Sequence, residues 1–406
     1  MSRVVFAKRV VTCDPSRATK EDPLGAIDDA AVVIDRGVVA WVGARADTSA
    51  CDEAIDAGDA VVTPGLVDAH THAAWMGSRH AEYAVRMAGG DYRAIAAAGG
   101  GIASTQRAVA AASEEEIADA LASRLARMAQ MGVTCVEVKS GYGLEPDHER
   151  KQLRAIARMA TRTDLPRVVP TFLALHALPA SAASDRAAYV DHVARVLVPE
   201  VAAGALARFV DAYVDANAFT IDEARAVGEA ARAAGLGIRL HVGQFADIRG
   251  AELCASLGAR SADHLEHVSP EGIAALASAG VAAGLLPTAC FSLGQTPPPV
   301  AALRAAGVPM IVASDANPGT APTESLPLAM AIGVRFYGLT IAEAILGATR
   351  IAAESLDEPT RGRIAVGAPA DVTVWDLPHE IAIVQPWGVS RARLVLRDGL
   401  EIARAT

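Results

Sequence analysis

The chain has 406 residues, 52% hydrophobic and only 4% aromatic, with 37 basic against 47 acidic side chains and a net charge of -10. That balance excludes a general nucleic-acid binder, which needs a basic face, while leaving room for a few local arginines to take a small anion. Five cysteines (Cys13, Cys51, Cys135, Cys254, Cys290), odd in number and never in a Cys-x-x-Cys pair, argue for a reducing cytoplasm and against a disulfide frame or a thiolate metal site.

Met1 to Arg9 holds no apolar run of signal-peptide length, and no stretch is apolar for long enough to span a bilayer. A soluble cytoplasmic protein is therefore expected. Val4 to Val11 reads as a strand, the polar stretch Asp14 to Asp22 as a surface loop, and residues 31–43 as a hairpin turning over Asp35-Arg36-Gly37. An apolar run at 61–67 reads as a buried strand that runs into Asp68-Ala69-His70-Thr71-His72.

Beyond it, strands alternate with helices. Strands are expected at 133–138, 168–175, 207–214, 238–242, 261–265, 281–286 and 308–312. Ser113 with Glu116 forms a capping box ahead of Ile117, Leu121, Leu125 and Met128, and Gly132 stops that helix. Thr220 with Glu223 and Thr340 with Glu343 open two more, and Ser269-Pro270 opens another that ends at Gly280. Eight strand–helix units predict an α/β fold, a (β/α)8 TIM barrel, over residues 61–359. A doubly wound open sheet is the alternative, but it gives no reason for eight repeats. The last residues return to short strands at Ala370 to Trp375 and Arg393 to Gly399. Residues 1–60 plus 360–406 are expected to pair into one small β-rich domain, because two separate tails would leave apolar strand faces exposed.

In an extended chain residues i and i+2 point to the same side, so His70 and His72 can offer two imidazoles to one ion while Thr71 faces away. Alone, that spacing fits a pair of solvated histidines equally well. The companions decide it. His176, His241, His264 and Asp315 also fall at the C-terminal ends of expected strands, where barrel enzymes build their sites. Five of the ten histidines thus share one rim. The inferred metal ligands are His70, His72, His241 and Asp315, a nitrogen and carboxylate set that suits one Zn2+ or Fe2+. No Lys or Glu ends the fourth strand to bridge a second ion. Asp315 can also take the proton of an attacking water, with His241 beside it, and His264 can relay a proton from off the metal.

Six stretches carry a resemblance: Gly65 to His72, Gly77-Ser-Arg79, Gly99 to Ile102, Glu137-Val-Lys-Ser-Gly-Tyr-Gly-Leu144, Ser261-Ala-Asp-His264 and Ser314-Asp-Ala-Asn-Pro-Gly319. In these the chain resembles the imidazolonepropionase family of the amidohydrolase superfamily, enzymes of histidine degradation that open 4-imidazolone-5-propanoate to N-formimidoyl-L-glutamate. The resemblance implies the same four metal ligands, a homodimer, and substrate contacts from Arg79, Tyr142, His176, Gln244, Asn317, Gly319 and Thr320. Arg79 offers a planar fork for the substrate carboxylate. Lys139 is read only as neutralising Glu137.

Gln244 stands where many members carry Glu, and a Gln can bind a ring group but cannot shuttle a proton. That counts against the rival reading of a ring deaminase. Another cyclic-amide hydrolase or aminohydrolase acting on a small carboxylate-bearing heterocycle remains the alternative, and a binding scaffold without catalysis would be expected to lack part of the ligand set.

Overall fold

The structure is a computed structural model that describes residues 2–90 and 100–405. Of the stretches singled out above, Gly99 lies outside the described residues. The expected (β/α)8 barrel is present. Its strands, in chain order, are Leu66–Asp68, Val133–Lys139, Arg167–Leu175, Phe209–Val214, Gly237–Val242, Ser261–His264, Ala282–Leu285 and Met310–Val312. Each pairs in parallel with the next.

The first and eighth strands meet just past their C-terminal ends. There Asp315 N donates to His70 O at 3.1 Å and His72 N to Ala316 O at 3.0 Å. Below them the Asp68 carboxylate accepts from Ser314 N at 3.0 Å and Ser314 Oγ at 2.5 Å. The closure of the barrel and the candidate metal ligands therefore share the same few residues.

One expected strand is two. Val61–Pro64 pairs with Ser2–Val11 and, antiparallel, with Val372–Trp375, whereas Leu66–Asp68 opens the barrel. The break falls at Gly65, where a Cβ would sit 2.2 Å from the side chain of Thr134, so only glycine lets the chain pass that close to the second strand. Both halves are buried on both faces, which is why the apolar run reads as continuous.

The two chain ends share a second sheet. Its order runs Leu400–Arg404, Ala392–Arg397, Val372–Trp375, Val61–Pro64, Ser2–Val11, Ala26–Asp35 and Val38–Ala44, with Glu53–Asp56 also paired to Ser2–Val11. The hairpin turns over Arg36 and Gly37, both at positive φ, as a two-residue turn between right-twisted strands requires. Val5, Val10, Val32, Val62, Val374 and Leu394 fill its core. Trp375 fastens this sheet to the barrel. Its Nε1 donates to Thr63 Oγ1 at 2.9 Å, and its ring occupies the space that a Cβ on Gly132 would need.

The helix signals hold. Reciprocal capping boxes form at Ser113/Glu116, Thr220/Glu223 and Thr340/Glu343, and Ser269 caps the helix Pro270–Ala279. No helix among the described residues is long and apolar enough to cross a membrane. All five cysteines are free, and four of them are buried.

Candidate active site

The histidines of the barrel rim converge. One ring nitrogen from each of His70, His72 and His241 lies within 4.8 Å of the other two. His241 Nε2 stands 3.2 Å from His72 Nε2, and Asp315 Oδ1 lies 3.4 Å from His72 Nε2 and 3.7 Å from His70 Nε2. His70 Nε2 and Asp315 Oδ1 are buried with no hydrogen-bond partner among the described residues. Buried polar atoms are ordinarily satisfied, so lone pairs aimed at one another across a few ångströms fit a cation between them.

The other edges of the rings are held by carboxylates. His70 Nδ1 donates to Asp263 Oδ2 at 2.7 Å, and His241 Nδ1 lies 3.0 Å from Asp211 Oδ2. A carboxylate only accepts, so each Nδ1 carries the proton and each Nε2 presents a lone pair inward. Burial, together with the charge of Lys139 and the neighbouring imidazoles, pushes His70 well below its ordinary value. Burial also lowers His241, against the opposing pull of Asp211. Neutral imidazoles are what a metal requires. Burial raises Asp315, but His72 and the surrounding rings more than reverse this and keep it a carboxylate. Its backbone φ of 53° puts it in the left-handed region, a conformation that for a non-glycine residue needs support from its surroundings. The support comes from Asn317, whose Nδ2 donates to Asp315 O at 2.7 Å.

Above the rim opens a cavity of about 810 Å3, with His72, His241, His264 and Asp315 on its floor. Arg79, Tyr142, His176, Gln244, Asn317 and Thr320 line its walls. The Arg79 side chain is buried, its Nε donates to Thr105 Oγ1 at 2.9 Å, and one terminal nitrogen is without a hydrogen-bond partner among the described residues. Gly319 lies beneath it: a Cβ there would come 2.3 Å from the guanidinium.

Tyr142 sits in a turn bound to the following helix, Pro146–Ala160, by Glu149 and Gln152. Their side chains accept from four successive backbone N–H groups, Gly141 to Leu144, at 2.8–3.2 Å. His176 Nδ1 donates to Gly141 O at 2.7 Å, which leaves Nε2 bare, and its ring stacks on His72 at 5.5 Å between centroids. Burial, with the nearby His72, holds His176 well below its ordinary value. Asn317 Oδ1 accepts from Gly319 N and Thr320 N at 2.8 and 2.7 Å and so shapes the loop.

Every candidate residue named from the sequence therefore lies at or beside one cavity. Several that matter there were given no role. Asp211 and Asp263 orient the rings of His241 and His70. Glu266 places both carboxylate oxygens in the interior without hydrogen-bond partners among the described residues, and its Oε2 lies 3.7 Å from His264 Nδ1. Burial lowers His264, and the charge of Glu266 more than reverses it, leaving the imidazole above its ordinary value. Tyr213, Asp215 and Asn217 complete the wall. A usable signal existed: Glu137 and Lys139, Asp211 and Tyr213, and Arg239 and His241 are polar pairs at i, i+2 inside apolar strands, the pattern of an inward face.

The barrel and its histidine rim define a hydrolase of the metal-dependent amidohydrolase type. Residues 85–402 match the model of the amidohydrolase family, and the chain belongs to that family. It is 42% identical to an imidazolonepropionase of Polaromonas sp. strain JS666 over 400 residues, covering 96% of this chain and 94% of the relative. With an imidazolonepropionase of Chromobacterium violaceum it shares 45% over 387 residues, 94% and 92% of the two chains. Within the family the chain therefore groups with the imidazolonepropionases. Among solved structures it is similar to a prolidase complexed with N-methylphosphonate-L-proline (TM-score 0.70, 21% identity, 100% of both chains). Atrazine chlorohydrolase from Arthrobacter aurescens TC1 superposes with a TM-score of 0.69 at 16% identity over 99% of this chain and 95% of that one. At these identities the two structures support the fold alone.

Proposed function

We propose that the chain hydrolyses 4-imidazolone-5-propanoate to N-formimidoyl-L-glutamate, with one divalent ion held by His70, His72, His241 and Asp315. The observation that carries this reading is the set of inward-facing lone pairs at the rim, in the same cavity as an Arg79 guanidinium nitrogen that has no hydrogen-bond partner among the described residues. Inward-facing lone pairs suit a cation, and a buried guanidinium suits a carboxylate. Three imidazoles and a carboxylate suit Zn2+ and Fe2+ alike. When bound, such an ion supplies Lewis acidity towards water and towards a ring carbonyl.

The residues divide the remaining work. Arg79 takes the propanoate tail, with Tyr142 beside it, and so fixes which end of the ring faces the rim. His176 and Gln244 orient the ring. Asp315 accepts a proton from the attacking water, whose oxygen joins the carbonyl carbon as the ring C–N bond breaks. The departing nitrogen keeps the bond's electron pair and takes a proton, which His264, next to Glu266, is placed to relay. Gln244 hydrogen-bonds but moves no proton, which favours ring opening over deamination. We also propose a homodimer, and the five free cysteines support a reducing, cytoplasmic setting.

Elemental analysis of the purified protein, followed by a spectroscopic assay for loss of the imidazolone chromophore, tests the reading. One ion per chain and turnover of this substrate are expected. Turnover of a different carboxylate-bearing cyclic amide in its place would reassign the substrate within the same chemistry.

A further inference from the structure

Lys139 is wholly buried within the barrel, as are the two carboxylates it touches: its Nζ lies 2.8 Å from Glu137 Oε1 and 2.8 Å from Asp211 Oδ2. Burying three charges together is costly, and an ion pair of this kind is a poor source of stability, so the group invites another explanation. Each carboxylate holds a different part of the histidine set. Glu137 Oε2 accepts from the backbone N–H of Thr71 at 3.1 Å, and its carbonyl accepts from Thr71 Oγ1 at 2.7 Å. Thr71 is the residue between His70 and His72, and its own carbonyl accepts from Lys139 N at 3.0 Å. Asp211, on the other side, accepts from the backbone N–H of His241 at 3.2 Å and faces its Nδ1. The ammonium thus joins the strand end that carries two of the histidines to the strand that carries the third. A lysine suits the position because a compact ammonium with three donors can meet two carboxylates, where a planar guanidinium would need more room.

We infer that Lys139 is a positioning residue for the metal centre: by bridging Glu137 and Asp211 it sets the separation between the His70-Thr71-His72 segment and His241. The inference rests on the metal reading above and deepens it. Its consequence is specific. Loss of the ammonium loosens the histidine geometry and weakens metal binding, beyond any change in overall stability.

The test compares Lys139→Met with the native protein, both stripped of metal and titrated with Co2+ against a chelator. Affinity, the visible absorption band of the bound ion, and thermal stability of the metal-free forms are read together. The expected result is Co2+ affinity reduced about ten- to a hundredfold with a changed absorption band. Should that variant fail to fold, the double variant Glu137→Gln/Lys139→Met removes a cation and an anion together, keeps the interior's net charge, and is expected to show the same loss. A folded variant that binds Co2+ within about twofold of native affinity, with an unchanged band, overturns the inference whatever its melting temperature. A native protein that takes up no Co2+ at all overturns the metal reading itself, and this inference with it.

Discussion

The roles proposed for Asp315 and Arg79 differ, and single substitutions separate them. Asp315→Asn keeps the volume but removes the charge, so turnover should fall by about a thousandfold while circular dichroism stays native. Arg79→Ala should raise KM for the propanoate substrate by about ten- to a hundredfold, the worth of a charge-assisted hydrogen bond. An analogue lacking the carboxylate should be unaffected; equal losses on both would remove the assigned contact. Gly319→Ala offers an independent check, since its new methyl would come within 2.3 Å of the Arg79 guanidinium. It should copy the KM effect of Arg79→Ala with little change in melting temperature. At this scale the candidate ligands were legible because His and Asp at strand ends are rare and chemically specific. The supporting residues were not. Alternation marks Asp211 as inward-facing, but its histidine partner is known only once the neighbouring strand is in place.

Between elements, the capping signals and the alternation of strand and helix carried through to the structure, because both are local. Ser113, Thr220 and Thr340 each bond a group three residues away, a distance that sequence spacing fully specifies. The misread strand at 61–67 shows the opposite case. Whether an apolar run continues or changes sheets depends on the approach of Thr134 from another strand.

The N-terminal side of the barrel is tied by Glu358, which pairs with Arg167 at 2.9 Å and also with Arg208, each at the start of a different strand. Burial raises the Glu358 carboxyl, but those two arginines more than reverse it and leave it below its ordinary value. A folded-state value below the unfolded one stabilises above the ordinary carboxylate range, and that stability is lost as pH falls through the folded value. Glu358→Gln should therefore cost about 1–2 kcal/mol at neutral pH, reduced by partial solvent screening. Denaturant melts of native and variant should converge as pH drops below 4.5, and a gap that persists in acid would argue against the ion pair.

Across the whole molecule, the metal reading and the joining of the two sheets each predict a change in melting. Removing the ion with a chelator should lower the melting temperature, and restoring it should recover about 4 kcal/mol when free metal exceeds its Kd a thousandfold. Trp375→Ala empties a buried site shared by the terminal sheet and Gly132 and should cost about 3–5 kcal/mol. Because that ring touches both sheets, activity and secondary structure should be lost at the same temperature.

By itself the sequence determined the barrel, the meeting of the chain ends in one sheet, and which side chains gather at its rim. Those follow from periodicity, caps and residue chemistry, all of which are properties of neighbours along the chain. Only the tertiary structure decided that Gly65 divides one apolar run between two sheets, that Asp263 and Asp211 set the histidine tautomers, and that Lys139 stands between two carboxylates. These depend on close approach between residues far apart in sequence. Hydrogen-bond contact between different strands, unlike a cap three residues away, leaves no trace in spacing along the chain.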